Sequence, residues 1–191
     1  MRNLKKILAL VLALVMSFSL MATANAFTDD EQITDTYETA VTDIDGTFEE
    51  AVEVLAGLKV FQGYDNGATF QPKGEITRAE VAAIIYRIVT GDVTDKQVGI
   101  YADYNKFDDV KSTSWYAGYV NFCANAEYIK GRDARTFDPD SYVTGYEALA
   151  MILRAIGYDQ NNEFTGADWA LHVAQTAQQA GVLKNVKGVD L

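Results

Sequence analysis

Apolar residues recur at helical spacing in five stretches of the chain, and this pattern predicts an all-α fold with almost no strand. The predicted helices lie near residues 48–60, 77–90, 115–128, 144–157 and 168–180. In the second of these, apolar side chains return every three or four residues, and Gly91 follows as a C-terminal stop. Loops rich in glycine and aspartate separate the stretches, so the chain is predicted to alternate short helices with turns.

Two of the predicted helices begin with the same capping signal. Thr77 followed by Glu80 predicts a capping box, and Thr144 followed by Glu147 repeats it 67 positions later. Residues 47–91 and 115–158 align as two copies of a helix, a glycine loop, a Phe-x-Pro motif and a capped helix. The chain therefore contains an internal repeat.

Arg78 differs from the rest of the capped helix. It occupies the first helical position, outside the apolar stripe and beside the positive end of the helix dipole, where a cation is mildly unfavourable. Gly145 takes its place in the second copy. We therefore expect a structural role for both caps, a functional role for Arg78, and little loss of stability when Arg78 is removed.

A third copy begins but lacks its second half. Trp169 corresponds to Trp115, but the sequence stops at Leu191 before any Phe-x-Pro motif or second capped helix. Either the sequence is truncated or something else completes the last unit. We divide the chain into a first repeat with an acidic lead-in (27–91), a polar connection (92–106), a second repeat (107–158) and a partial third repeat (159–191).

The first 26 residues have the pattern of an export signal. A basic start precedes an apolar run over 7–20, and Ala24-Asn25-Ala26 forms an A-x-A cleavage site. A membrane anchor is the competing interpretation, but the apolar run is short for a hydrocarbon core of about 30 Å. We therefore predict a secreted protein that has no membrane contact once residues 1–26 are removed.

Charge and composition exclude several function classes. The chain carries 16 basic and 27 acidic residues, a net charge of −11, so nucleic acid and anionic lipid are poor partners. Cys123 is the sole cysteine and is predicted to be a small buried hydrophobe. His172 is the sole histidine, which leaves no Ser-His or Cys-His pair. We predict no enzyme activity, no metal site and no cofactor.

The acidic residues allow two alternatives. Asp65-Asn66-Gly67 lacks the alternating oxygen ligands of a calcium loop. Paired carboxylates for glycoside hydrolysis cannot be recognised in a chain with 27 acidic residues, because candidates are always present. A solvated acidic surface is the simpler interpretation.

Several motifs together resemble tandem S-layer homology domains of a Gram-positive-type bacterial surface protein. They are Phe107–Val110, the Trp115 helix, Gly63–Gly67, Phe70–Pro72 and Ile76–Glu80. The resemblance implies that three consecutive repeats form a pseudo-threefold helical spindle. It also implies non-covalent binding of an acidic, typically pyruvylated secondary cell-wall polysaccharide in grooves between repeats, and a location at the cell wall or S-layer.

The resemblance also implies the binding residues. Arg78 would meet the ligand's acidic group, because a guanidinium fits a carboxylate in a bidentate manner. Trp115 and Trp169 would offer apolar faces to sugar rings, although burial in the core is an equally good interpretation. Gly63 and Gly131 would allow close backbone approach. Arg132, with Arg135 beside it, would replace the cation missing at Gly145.

Two function classes remain open. The first is a wall-anchoring module. The second is the N-terminal fragment of a larger secreted enzyme or adhesin, with the repeats as its anchor. Self-association that completes the third repeat is a further expectation.

Overall fold

The computed structural model describes Asp43 and residues 49–72 and 74–183. The predicted signal over 1–26, most of the acidic lead-in and residues 184–191 lie outside the described residues. The helices are α1 (Glu49–Gly57), α2 (Arg78–Thr90), α3 (Ala117–Asn125), α4 (Gly145–Ala155) and α5 (Trp169–Gln179). Over the described ranges there is no strand, only two isolated β-bridges, so the predicted all-α class is confirmed.

Both capping boxes form in the structure. The Thr77 hydroxyl accepts from the Glu80 amide, and the Thr77 amide donates to Glu80 Oε2 at 2.7 Å. Thr144 and Glu147 repeat this arrangement at the start of α4. Each box satisfies two of the amides that have no partner inside the helix, which fixes where α2 and α4 begin.

The core lies where α2 packs against α3 and α4, and where α4 packs against α5. Cys123 on α3 is fully buried and its Sγ lies 3.4 Å from the Ala82 carbonyl oxygen, which confirms the predicted small buried hydrophobe. Other fully buried large side chains are Leu55, Phe70, Tyr86, Phe137, Leu149 and Ile152.

The polar connection of the sequence interpretation contains a packed element. Val98–Tyr104 forms a 3-10 helix that lies along α3. The Asn121 side chain donates to the carbonyls of Tyr101 and Ala102, and the Tyr101 ring packs edge-on against Phe122 at 5.0 Å. The sequence interpretation of 92–106 as a polar connection does not reveal this packing, because the apolar residues of the stretch do not follow an α-helical period.

The N-terminus of α2 docks onto the loop that precedes α4. The Arg78 amide donates to the Ser141 carbonyl at 2.9 Å, and the Ala79 amide to the Pro139 carbonyl at 3.0 Å. The Val143 amide donates back to the Ile76 carbonyl at 3.0 Å. These bonds satisfy helix-end amides of the first repeat with carbonyls of the second, so the two repeats are joined through backbone.

The helices found in the described part of the chain are too short or too polar to cross a lipid bilayer. The pseudo-threefold spindle stays a prediction, because α5 represents the third repeat and residues 184–191 are not described.

Candidate ligand-binding cavity

A cavity of about 430 Å³ lies between the two repeats and the start of the third. Its walls come from the N-terminus of α2, the loop before α4, α4 itself and the segment leading into α5. The lining residues are Arg78, Lys130, Gly131, Arg132, Glu147, Ala150, Met151, Arg154, Phe164, Thr165, Gly166 and Trp169. The structure therefore brings Arg78, Gly131, Arg132 and Trp169 together, whereas Gly63 and Trp115 do not line this cavity.

Arg78 is part of the cavity wall and is almost fully buried, at 3% exposure. Its Nε donates to the Phe137 carbonyl at 2.8 Å and its Nη2 to the Lys130 carbonyl at 2.9 Å. The guanidinium also lies over the Phe137 ring, 4.6 Å from the centroid. These buried contacts argue against the expectation of little stability loss when Arg78 is removed. Its acceptors lie 52 and 59 residues away and cannot be inferred from local spacing.

The buried guanidinium remains charged. Burial, followed by the nearby charge of Arg132, lowers the pKa of Arg78 to about 10, still well above neutral pH. A buried charge is costly unless it is paired and hydrogen-bonded. Two backbone carbonyls and the Glu147 carboxylate provide that compensation.

Glu147 has a different task for each of its oxygens. Oε2 accepts from the Thr144 amide at 2.8 Å and completes the cap of α4. Oε1 accepts from Arg132 Nη1 and lies 3.8 Å from Arg78 Nη1. Arg132 Nε lies 3.5 Å from Asp138 Oδ2. Two guanidinium groups therefore converge on one capping carboxylate.

Asp159 holds the other two cations of the cavity. Its Oδ2 accepts from Arg154 Nε at 2.6 Å and from Lys130 Nζ at 3.1 Å, while its Oδ1 accepts from the Phe164 amide at 2.7 Å. Lys130 also donates to Asn162 Oδ1 at 2.6 Å. Burial alone would raise the pKa of Asp159, but these donors hold it below its usual value. The carboxylate is therefore ionised and fixes both cations.

The charge of the cavity is opposite to that of the chain. Four cationic side chains line it, against one lining carboxylate, in a chain with net charge −11. Such a site suits an anionic group, which guanidinium and ammonium groups bind through charge-assisted hydrogen bonds. Elsewhere in the described ranges, no group of three or more His, Cys, Asp or Glu side chains is placed to hold a metal ion.

The two tryptophans occupy different settings. Trp169 lines the cavity and packs edge-on against Tyr146, with 6.4 Å between centroids. Trp115 is 59% exposed and packs against Tyr116 and Tyr119, apart from the cavity. Burial in the core is therefore wrong for Trp115. A sugar-binding role stays a prediction for both.

The local backbone and packing require glycine at both Gly131 and Gly63. At Gly131 a Cβ would lie 2.4 Å from the Asp133 carbonyl oxygen and 2.6 Å from Phe107 Cε1, so any side chain would collide with the loop. Gly63 has a φ of +68°, which L side chains rarely adopt, and its Cβ would lie 2.9 Å from Gly67 Cα. Close approach to a ligand stays a prediction for both.

Sequence reasoning missed Lys130 and Arg154 as cavity residues and Asp159 as the carboxylate that holds them. A signal was present, because Arg154 repeats the position of Arg87 in the first copy. Arg87 donates to Asp95 through Nε at 3.0 Å and through Nη2 at 2.8 Å, and Arg154 donates to Asp159 through Nε at 2.6 Å. The recurrence of an arginine on α2 and α4, each followed by an aspartate later in the chain, was therefore the sequence signal for the Arg154–Asp159 pair.

Comparison with known proteins gives a consistent set of relatives. Residues 42–82 and 106–149 match the S-layer homology domain. The chain is 35% identical over 156 residues to a middle cell wall protein of Brevibacillus brevis, covering 82% of this chain and 14% of that protein. It is 34% identical over 156 residues to a surface layer protein of Brevibacillus choshinensis, covering 82% and 13%.

A third relative is an amylopullulanase of Thermoanaerobacterium thermosulfurigenes, which is 28% identical over 160 residues, or 77% of this chain and 8% of that protein. The chain spans 14% and 13% of the two cell-surface relatives. No solved structure matches this chain.

Proposed function

Because the chain belongs to the S-layer homology domain family through residues 42–82 and 106–149, we propose that it binds an acidic secondary cell-wall polysaccharide in the cavity between its repeats. The ligand we propose is a pyruvylated polymer, whose carboxylate would face the arginine and lysine side chains of the cavity. The bound polymer would then hold the protein at the cell surface without a covalent bond.

The coarser part of this function follows from the family. Domains of this kind anchor surface proteins to the cell wall by binding its polysaccharide, and they are not enzymes, although some relatives are enzymes that carry such regions. The family and the surface-layer relatives indicate a secreted protein of the cell wall or S-layer, which confirms the predicted localisation.

The observation that carries the proposal is the cationic cavity in an acidic chain. General attraction cannot explain binding of an anionic polymer, because the net charge of −11 repels it. Attraction must be local, and the cavity brings four cations together, of which Lys130 and Arg132 are the more exposed. Arg132, with 40% of its side chain exposed, is well placed to contact a ligand directly.

Arg78 takes a different role in this proposal from the one expected at first. Its Nε and Nη2 are committed to backbone carbonyls of the second repeat. It therefore shapes the cavity wall and contributes charge, while Arg132 and Lys130 make the more accessible contacts. Trp169 supplies an apolar surface at the same cavity, suited to the face of a sugar ring.

The test is cosedimentation with purified Gram-positive sacculi, before and after hydrofluoric acid strips the wall polymer. We expect the chain without residues 1–26 to pellet with intact sacculi and to stay in solution with stripped ones. Arg132→Gln should weaken pelleting, while Arg135→Gln is a matched control on an exposed arginine that does not line the cavity. Equal pelleting with stripped sacculi would contradict the proposal.

A second candidate function concerns a larger protein. The relatives include an amylopullulanase of which the matched region is 8%, so we propose as an alternative that these repeats anchor a secreted enzyme or adhesin. Sequencing the coding region past codon 191 tests this. A downstream catalytic or adhesive domain in the same reading frame would support the alternative, and a stop codon would exclude it.

Self-association that completes the third repeat is a separate proposal. It is motivated by the sequence alone, because Trp169 and its helix repeat the start of a unit whose second half is not in the sequence. Sedimentation velocity of the chain without residues 1–26 would test it, and a monomer at all concentrations would reject it.

A further inference from the structure

Resting on the proposed function of the cavity, we propose that Glu147 sets how tightly the cavity binds an acidic ligand. Its carboxylate acts as an internal counter-anion of Arg132, and a ligand must bring its own anion to take that place. A neutral sugar carries no anion that could compete with Glu147 for Arg132, so its binding should not depend on this carboxylate.

The two oxygens of Glu147 make this exchange possible. Oε2 stays on the Thr144 amide as the helix cap, while Oε1 alone faces Arg132 and Arg78. The Glu147 side chain is 14% exposed, against 40% for Arg132. Arg132 can therefore swing toward a ligand while the glutamate remains in the cap.

The empty cavity needs this carboxylate. The charge of Arg132 lowers the pKa of Arg78, and the charge of Glu147 raises it, so Glu147 offsets the repulsion between the two guanidinium groups. Without Glu147, the arginines would repel each other and would gain more from an incoming anion. Removal of Glu147 is therefore expected to weaken the empty fold and to strengthen binding of an acidic ligand.

The first repeat provides a matched control. Glu80 caps α2 through Oε2 in the same way, but its Oε1 accepts from the Tyr64 hydroxyl at 3.1 Å and not from an arginine. Glutamine serves at the third helical position of a capping box as well as glutamate does. Glu80→Gln and Glu147→Gln therefore make the same local change, and only the second removes an arginine partner.

The experiment measures binding of sodium glucuronate and of glucose to the chain without residues 1–26, by calorimetry and by the rise in melting temperature. We expect Glu147→Gln to bind glucuronate roughly three- to tenfold more tightly than wild type. This is the size expected when the ligand no longer competes with one partly exposed ion pair, Arg132 with Glu147. Glucose binding should not change, and Glu80→Gln should behave as wild type toward both sugars. In an Arg132→Gln background, Glu147→Gln should lose its effect.

Unchanged or weaker glucuronate binding by folded Glu147→Gln would overturn the inference, as would the absence of glucuronate binding by both wild type and variant. If Glu147→Gln fails to fold, Glu147→Asp gives a second reading, because the shorter carboxylate withdraws from Arg132 and should also tighten binding. Sacculi test the proposed function separately. If wild type does not pellet with sacculi but Glu147→Gln binds glucuronate more tightly than wild type does, wall anchoring is rejected and the role of Glu147 is retained.

Discussion

Both repeats contain the same pattern of polar contacts, in which an arginine meets an aspartate and a glutamate caps a helix. The side chains on either side of the loop glycine, which also contact these acids, differ between the repeats. In the first repeat, Gln62 and Arg87 meet Asp95, and Tyr64 meets Glu80. In the second repeat, the corresponding groups are Lys130 and Arg154 on Asp159, and Arg132 on Glu147.

This difference separates the residues that the fold requires from the residues that can bind a ligand. The capping glutamate and the buried arginine with its aspartate occur twice, so the fold requires them in each unit. The residues on either side of the loop glycine change from glutamine and tyrosine to lysine and arginine. The second set adds two positive charges, and the cationic cavity lies on that side of the molecule.

The largest expected effect comes from replacing the aspartate that pairs with the repeated arginine in each unit. Asp159→Asn should lower the free energy of unfolding by about 3–5 kcal/mol, because the Asp159 side chain has no exposed surface and its loss leaves two cations unpaired. Asp95→Asn should cost about 1–3 kcal/mol, since Asp95 is partly exposed and holds one cation. Urea denaturation of both variants measures the difference. Equal losses would mean that the two sets of polar contacts are energetically alike.

Next in size is Arg78→Ala, which we expect to destabilise the fold by about 2–4 kcal/mol, because two carbonyls of the second repeat lose their donor. Wall binding should fall as well. A thermal melt beside the sacculus assay distinguishes these effects. An Arg78→Ala protein as stable as wild type would show that these buried contacts contribute little to the free energy of unfolding.

A smaller effect is expected from exchanging the residues beside the loop glycines. The double variant Lys130→Gln with Arg132→Tyr gives the second repeat the side chains of the first. It should lose roughly 10- to 100-fold in affinity for intact sacculi, as expected for one or two charge-assisted contacts, with little change in melting temperature. Tyr64→Arg is the control and should not change binding. Full binding by the double variant would remove these residues from the site.

The smallest and most nearly equal effects should come from the caps. Thr77→Ala and Thr144→Ala should each cost about 0.5–2 kcal/mol, because each removes one side-chain acceptor from a helix N-terminus. Denaturation curves for the pair test whether the two caps are equivalent. A much larger loss at Thr77 would show that the backbone contact to the second repeat depends on that cap.

The sequence predicts those parts of the molecule that depend on near neighbours. The caps at Thr77 and Thr144 are readable because their partners lie three residues away. Cys123 is readable because its neighbours on one helix face are apolar. The burial of Arg78 and the pairing of Lys130 with Asp159 depend on contacts 29 to 59 residues apart. No local pattern encodes them.

The internal repeat makes some features predictable even though their partners are distant in the sequence. Because the chain carries two copies, each position has a second instance against which it can be compared, and Arg154 is marked by Arg87 without any knowledge of their partners. The 3-10 helix Val98–Tyr104 has no such help, since its contacts with α3 are made by aromatic and backbone groups at irregular spacing.

The bonds between the α2 N-terminus and the loop before α4 also determine how the molecule responds to tension. A surface protein held at the wall is pulled through its chain. Any pull that separates the two repeats must break the hydrogen bonds that the Arg78 and Ala79 amides donate to the Ser141 and Pro139 carbonyls. The same movement withdraws the Arg78 guanidinium from the Lys130 and Phe137 carbonyls. Mechanical separation of the repeats and dismantling of the cavity are therefore one event.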